Sequence, residues 1–114
     1  MRCGTVIIKN CTTIVQGAFK NDDRISRVII GKGVISIEEG AFSGCKNLKI
    51  VIVPESVDLI DETAFKGSGV LLKIPKKSKD EYTSRRVLLI YCKKNSYADK
   101  WFGAKKKNYI VIYY

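Results

Sequence analysis

A period of 23 residues organises most of this chain and limits the folds that it can adopt. The dipeptide Ala-Phe occurs three times at this spacing, at 18–19, 41–42 and 64–65. An isoleucine lies four residues before each alanine, at Ile14, Ile37 and Ile60. An apolar or thiol residue lies three residues before each isoleucine, at Cys11, Val34 and Val57. A fixed period of this length, with matching neighbours, indicates a repeat protein whose stacked units share one core.

Each unit begins with a β-branched run that is predicted to form a strand. Side chains on a strand alternate between its two faces, so Val28 and Ile30 are predicted to face the core and Ile29 to face outward. A turn and a second extended segment follow, and an acidic start then leads into a short helical turn around Ala-Phe. We expect the rings of the three repeat phenylalanines to stack as a buried spine: Phe19, Phe42 and Phe65.

The chain as a whole is predicted to be a single domain, 1–114, with repeats over about 3–75 and a C-terminal cap over about 76–114. The pattern of apolar runs predicts parallel strands near 5–8, 27–30, 50–53, 71–74 and 87–92.

The tail has the signals of a helix followed by a last strand. Ser96, with Asp99 three residues later, resembles a capping box at a helix start. Asn108 is expected to end the helix in the left-handed conformation, and 109–114 to form the strand. The residues expected on one buried face of the helix are Tyr97, Ala98, Trp101 and Phe102.

Two segments resemble a known family. They are Ala41-Phe42-Ser43-Gly44-Cys45-Lys46-Asn47-Leu48 and Val51-Ile52-Val53-Pro54-Glu55-Ser56-Val57, the latter continued by Ile60 and Ala64-Phe65. Their pattern resembles the BspA-type (Treponema pallidum-type) leucine-rich repeat, and the segment from Ile90 to Ala98 resembles the usual ending of that family. The resemblance implies an α/β repeat solenoid that is right-handed, with a parallel sheet on its concave side and short helical turns on its convex side.

The same resemblance implies a setting and a role. Members of such a family are expected at the cell surface or secreted, in adhesion and in binding to proteins or extracellular matrix. The sequence runs from Met1 straight into a strand pattern, so we expect neither a secretory signal nor an N-terminal cap. We therefore expect a C-terminal fragment of a longer surface protein, with a cytoplasmic location as the alternative. The first strand of such a fragment is an open edge, which favours self-association.

Positive charge is concentrated in the tail. Residues 1–72 carry nine Lys and Arg against eight Asp and Glu, a net charge of +1, whereas residues 73–114 carry twelve against three, a net charge of +9. This region is either a solubilising face or an electrostatic footprint for a polyanion such as a glycosaminoglycan, a cell-wall polymer or a nucleic acid. The residues of this basic patch are Lys76, Lys77, Lys79, Arg85, Arg86, Lys93, Lys94, Lys105, Lys106 and Lys107.

The outward positions of the predicted strands form two columns. One column runs through Ile7, Ile29, Ile52, Lys73 and Tyr91, and the other through Thr5, Arg27, Ile50, Leu71 and Leu89. Outward positions on a solvated sheet are usually polar, so these apolar residues indicate an interaction surface unless strand propensity alone explains them. The predicted concave binding face consists of Ile7, Arg27, Ile29, Ile50, Ile52, Leu71, Lys73 and Tyr91.

The sequence offers little catalytic chemistry. It contains no histidine, which excludes Ser-His-Asp and Cys-His catalysis and histidine metal sites. Gly31-Lys32-Gly33 reads as a repeat turn and not as a phosphate-binding loop. The carboxylate pairs Glu38-Glu39 and Asp61-Glu62 are interpreted as solvated turns, with a cation site as the alternative. The four cysteines lack metal or redox spacing and are interpreted as small buried apolar residues: Cys3, Cys11, Cys45 and Cys92.

We therefore predict a non-enzymatic interaction module without a cofactor, whose partner is a protein or matrix ligand. Binding of a polyanion through the basic tail is the alternative function. No stretch of the sequence is apolar over enough residues to predict a membrane-spanning helix.

Overall fold

The computed structural model describes residues 4–76, 81–105 and 108–114, and their backbone forms a solenoid of stacked coils. Each of the first three coils contributes a longer strand to a main sheet and a two-residue strand to a second sheet. The strands of these coils are β1 (Gly4–Ile8), β2 (Thr13–Ile14), β3 (Ile25–Ile30), β4 (Ser36–Ile37), β5 (Ile50–Ile52) and β6 (Leu59–Ile60). The remaining elements are β7 (Val70–Pro75), β8 (Tyr82–Cys92), α1 (Tyr97–Gly103) and β9 (Tyr109–Tyr113).

The main sheet runs in parallel through β1, β3, β5, β8 and β9, and the second sheet through β2, β4 and β6. The pairing register aligns Val28 with Val51 and Val51 with Ile90, so that equivalent positions of successive coils lie side by side. Val28, Val51 and Ile90 are fully buried. The predicted alternation is confirmed, because Val28 and Ile30 face the core while Ile29 is only half-buried.

The predicted stacking of the three phenylalanine rings is also confirmed, whereas their predicted burial is confirmed only for Phe42 and Phe65. The ring centroids of Phe19 and Phe42 lie 5.3 Å apart, and those of Phe42 and Phe65 lie 5.2 Å apart, with nearly parallel planes in both pairs. Phe42 and Phe65 are buried, whereas Phe19, in the first coil, is half-buried. The rings of Phe102, in α1, and Phe65 are steeply inclined to each other with their centroids 5.3 Å apart, so Phe102 extends the aromatic stack into the tail.

The expected short helical turns around Ala-Phe are wrong, because these segments are tandem β-turns. Within a coil, the Ala41 N–H donates to the Glu38 carbonyl at 3.2 Å. The next N–H, of Phe42, instead donates across to the Ala64 carbonyl of the following coil at 2.7 Å. Alternate N–H groups thus bond to the neighbouring coil and cannot form a continuous helical ladder. This lateral bonding satisfies the backbone while it holds the coils in register.

The expected parallel strand at 71–74 is wrong in direction and in place. β7 pairs antiparallel with the first half of β8, with Val70 opposite Val87 and Pro75 opposite Tyr82. The fourth position of the main sheet is taken by the second half of β8, where Leu89 pairs with Ile50. Only residues 76–81 separate β7 from β8, whereas adjacent parallel strands need a crossover of about a dozen residues or more. A hairpin is therefore the arrangement that this connection permits.

The tail helix forms as predicted but ends earlier. Ser96 is the N-cap, and its Oγ accepts a hydrogen bond from the Asp99 N–H at 3.2 Å, while the Asp99 carboxylate accepts from the Asn95 N–H at 2.8 Å. The helix ends at Gly103, followed by Ala104 in a right-handed conformation, so the expectation of a left-handed end at Asn108 is wrong. The predicted buried face is present, with Ala98, Trp101 and Phe102 buried and Tyr97 half-buried. In the described part of the chain, no helix is long and apolar enough to cross a membrane.

Candidate interaction surfaces

The main sheet has one side that does not face the core, and its side chains form two columns fixed by the strand register. We call this surface the outer face. Its first column is Ile7, Ile29, Ile52, Tyr91 and Ile112, and its second is Thr5, Arg27, Ile50, Leu89 and Ile110. All members except Thr5 and Arg27 are apolar or aromatic. The columns cross all five strands, so the apolar positions are contiguous.

The structure brings together six of the eight residues that the sequence predicts for the concave binding face: Ile7, Arg27, Ile29, Ile50, Ile52 and Tyr91. Exposure within the outer face is uneven. Ile7 is 62% exposed at one edge and Ile110 is 50% exposed at the other, while the apolar residues on the central strands are half-buried and Arg27 is exposed. Whether this surface binds a partner stays a prediction.

The two other predicted members, Leu71 and Lys73, do not lie on the outer face. Leu71 pairs with Arg86, and strand alternation places both on the opposite side of the hairpin from Leu89. The neighbouring residue Leu72 pairs with Arg85 and lies on the same side as Leu89. The repeat pattern predicts β7 as a further parallel strand, and the antiparallel pairing of β7 with β8 overturns the placement of both residues.

An apolar groove of about 280 Å³ joins the hairpin to the outer face. Leu72 is 45% exposed within it and Ile110 is 50% exposed, and their surroundings are almost entirely apolar. The lining residues are Lys49, Val70, Leu72, Val87, Leu89 and Ile110. Neither Leu72 nor Ile110 was predicted as a site residue, although the alternation in Val70–Pro75 would have selected Leu72 if the hairpin had been recognised.

The described members of the basic patch do not form one surface. Arg86 and Lys105 line a pocket beside the last turn of the third coil, whereas Lys93 lies in another pocket, with its Nζ 3.0 Å from the Glu55 carboxylate. Arg85, on the opposite side of its strand from Arg86, is exposed, as are Lys76 and Lys94. Lys77, Lys79, Lys106 and Lys107 lie outside the described residues.

The carboxylate pairs occupy turns and lack a metal-binding arrangement. Asp61 accepts hydrogen bonds from the Thr63 hydroxyl at 2.7 Å and the Thr63 N–H at 2.8 Å, and these bonds lower the pKa of its carboxyl group. Glu38 and Glu39 are exposed, and Glu62 pairs with Lys105 at 3.4 Å. Among the residues that the structure describes, no group of three or more His, Cys, Asp or Glu side chains is placed to hold a metal ion.

The thiols that the structure describes are unpaired. Cys45 and Cys92 are buried and Cys11 is half-buried, while Cys3 lies outside the described residues. Burial raises the pKa of the Cys45 thiol to about 11. A thiol with a raised pKa is mostly protonated near neutral pH and is a poor nucleophile. Cys45 therefore acts as a small apolar residue of the core, as predicted.

Comparisons with known proteins agree with the coil architecture. The family model described as "BspA type leucine rich repeat region (6 copies)" matches residues 5–93. That match covers the three coils, the hairpin and β8. No curated protein matches the chain, and no solved structure matches it. The residues of the 23-residue period, the stacked coils and this match lead to one conclusion: the chain belongs to the BspA-type leucine-rich repeat family.

Proposed function

We propose that this chain is a non-catalytic interaction module that binds another protein through the outer face and the adjoining apolar groove. Membership of a leucine-rich repeat family indicates a protein-interaction module. The observation that carries the proposal is the continuity of apolar side chains from the outer face into the groove between Leu72 and Ile110. Contiguous exposed apolar area on a folded domain usually marks a site of interaction.

The chemistry of the partner follows from the charges beside this surface. Arg27 lies within the outer face, Lys49 lines the groove, and Arg85 lies opposite Leu72 on the hairpin. The whole chain carries a net charge of +10. Complementary potentials across an interface favour association and suppress wrong partners. The partner is therefore a protein surface with an apolar centre and acidic residues around it.

The setting of this activity is also part of the proposal. Chains of this family type are expected in adhesion or matrix-binding proteins at the cell surface, and the present chain would serve as one interaction segment of such a protein. Within the right-handed solenoid that the family implies, α1 and β9 would act as its C-terminal cap. The placement of Phe102 against Phe65, where the next coil of a longer stack would lie, supports that role.

A double substitution on the outer face tests the proposal. Ile29→Thr with Ile52→Thr keeps β-branching but removes apolar surface, and we expect capture of partner proteins from host-matrix and cell-envelope extracts to fall about tenfold or more. The matched control is Val15→Thr with Leu59→Thr, which removes exposed apolar surface in and next to the second sheet. Captured proteins would be identified and their purified forms tested for direct binding. Equal binding by both variants, with the fold retained, would contradict the outer face as the site.

Polyanion binding through the tail remains the second candidate, and the net charge of +9 in residues 73–114 favours it. Binding of this kind releases counterions and weakens steeply as salt rises, whereas binding through an apolar face responds much less. Retention on heparin across a salt series separates the two. Charge reversal at Lys105, Lys106 and Lys107 should reduce that retention, and undiminished retention would count against this part of the tail.

A further inference from the structure

A pocket of about 430 Å³ lies where the third coil, β8 and the residues around the end of α1 meet. Three of its lining side chains are cationic and one is a carboxylate. The polar and charged residues that matter here are Lys66, Arg86, Lys105, Glu62, Asn108 and Tyr109. Its volume falls within the range of small-ligand sites, which is roughly 300–1,000 Å³.

The positive charge of this pocket is not balanced by its own residues. The Glu62 carboxylate is 3.4 Å from the Lys105 Nζ, which also lies 3.9 Å from the centre of the Trp101 ring. This contact uses the one acidic group of the pocket. Two cations remain, and neither forms an ion pair with a carboxylate within the described ranges 4–76, 81–105 and 108–114.

Arg86 is the better placed of these two cations. It lies on the side of β8 that faces the core, it is half-buried, and its Nη1 donates to the Gly69 carbonyl oxygen at 2.9 Å. That bond fixes the orientation of the guanidinium group. A partly desolvated cation is costly when no carboxylate faces it, as holds for Arg86 among the residues that the structure describes, and an anion in the pocket would lower that cost.

We propose that this pocket binds the oxyanion of a phosphate or sulfate group, with Arg86 as the principal ligand. The planar guanidinium group presents several donors that match the oxygens of such an anion. Lys66 adds charge, and the Asn108 amide and the Tyr109 hydroxyl add neutral donors. Burial raises the pKa of Tyr109 to about 12, so its hydroxyl keeps its proton near neutral pH.

This inference deepens the polyanion candidate, because a discrete pocket selects the charged group of a sugar ester or a nucleic acid instead of sensing charge alone. It does not involve the outer face. Failure of the pocket therefore leaves the proposed protein-binding function standing, and loss of outer-face binding leaves the pocket intact.

The experiment is a titration of the isotope-labelled chain with inorganic phosphate and with inorganic sulfate at constant ionic strength, followed by backbone amide shifts. We expect saturable shifts centred on Lys66, Arg86 and Asn108. Arg86→Gln should weaken the apparent affinity about tenfold, the effect of losing a charged hydrogen-bond partner. Arg85→Gln is the matched control, because it removes the same charge one residue away on the opposite side of the strand.

A second variant distinguishes a loss of affinity from a loss of the fold. Lys66 is exposed, so Lys66→Gln is expected to keep the fold and still reduce the affinity. Titrations with a sulfated and a phosphorylated monosaccharide identify which ester the pocket prefers, and tighter binding of either one supports the proposal. Shifts that equal those caused by chloride, or equal weakening by Arg85→Gln and Arg86→Gln, would overturn it.

Discussion

The ring of Phe42 lies between those of Phe19 and Phe65, and its plane is inclined by 11° to that of Phe65 at a centroid distance of 5.2 Å. Equivalent residues of successive coils thus meet face to face. Because no single coil of this length can bury its own apolar side, the contact between coils supplies the core.

The first prediction follows from this position. Phe42→Ala removes a fully buried ring that has an aromatic neighbour on each side, and we expect the free energy of unfolding to fall by about 3–5 kcal/mol. Phe19→Ala is the control, because Phe19 is half-buried and stacks on one ring only. Its cost should be clearly smaller in urea-induced unfolding. Equal costs for the two variants would contradict the idea that deeper burial and a second stacked ring make Phe42 the more stabilising residue.

The spine could be predicted from the sequence because it repeats at a constant interval, and so could the inward and outward alternation of β3 and β5. The turns around Ala-Phe could not be assigned in the same way. Acidic residues before alanine are compatible with a helical start, and only the neighbouring coil, which accepts alternate N–H groups, makes tandem β-turns the better solution.

The hairpin of β7 and β8 differs from the prediction for another reason. Ile74-Pro75 repeats the pattern of Val53-Pro54, which favoured a further parallel coil. The short connection to β8 was the stronger signal, because loop length limits strand direction. The placement of Leu72 beside Ile110 then depends on two strands that are distant in sequence, and no local pattern in the chain reports it.

The second prediction uses two adjacent leucines with opposite placements. Leu72 lines the apolar groove, whereas Leu71 lies on the other side of the hairpin, and both are about half exposed. If the groove binds a protein partner, Leu72→Ser should weaken binding about tenfold, as for a residue in the centre of an interface. Leu71→Ser should leave the affinity unchanged. Titration calorimetry with a purified partner measures the affinity of both variants. A larger loss of affinity in Leu71→Ser than in Leu72→Ser would place the partner on the opposite side of the hairpin.

The third prediction concerns Gly69, which connects the third coil to the hairpin. Its φ is +105°, and a Cβ atom there would lie 2.8 Å from the Val87 carbonyl oxygen. Gly69→Ala should therefore destabilise the fold by more than the cost of an unfavourable φ, which is about 1–3 kcal/mol. Gly17→Ala is the control, because Gly17 has a positive φ of +66° but an added Cβ meets nothing within 4 Å. Similar unfolding free energies for the two variants would contradict the close approach of β8.

The fourth prediction is a loss of stability in alkali. Burial raises the pKa of Cys45 from 9.0 to about 11 and that of Tyr109 from 10.0 to about 12. The folded chain thus favours the neutral thiol and phenol, and these two groups ionise at lower pH in the unfolded chain than in the folded chain. The stabilising contribution of Cys45 is complete below pH 9.0 and is lost as the pH rises through about 11. Urea unfolding over this range should show a decline that is shallower in Cys45→Ala, and an unchanged slope would contradict the assignment.

The last prediction concerns the edge of the main sheet. Among the described residues, β1 pairs with β3 alone, so its other edge is open to a strand of a second chain. We expect the chain to self-associate at high concentration, and more strongly in added salt, because screening reduces the repulsion between molecules of net charge +10.

Thr5→Lys places a charge on the exposed edge and should shift the equilibrium toward the monomer. Thr12→Lys adds the same charge outside β1 and serves as the control. Light scattering after size-exclusion chromatography measures the mass of each variant, and if Thr5→Lys and Thr12→Lys reduce it equally, net charge and not the edge of β1 governs association.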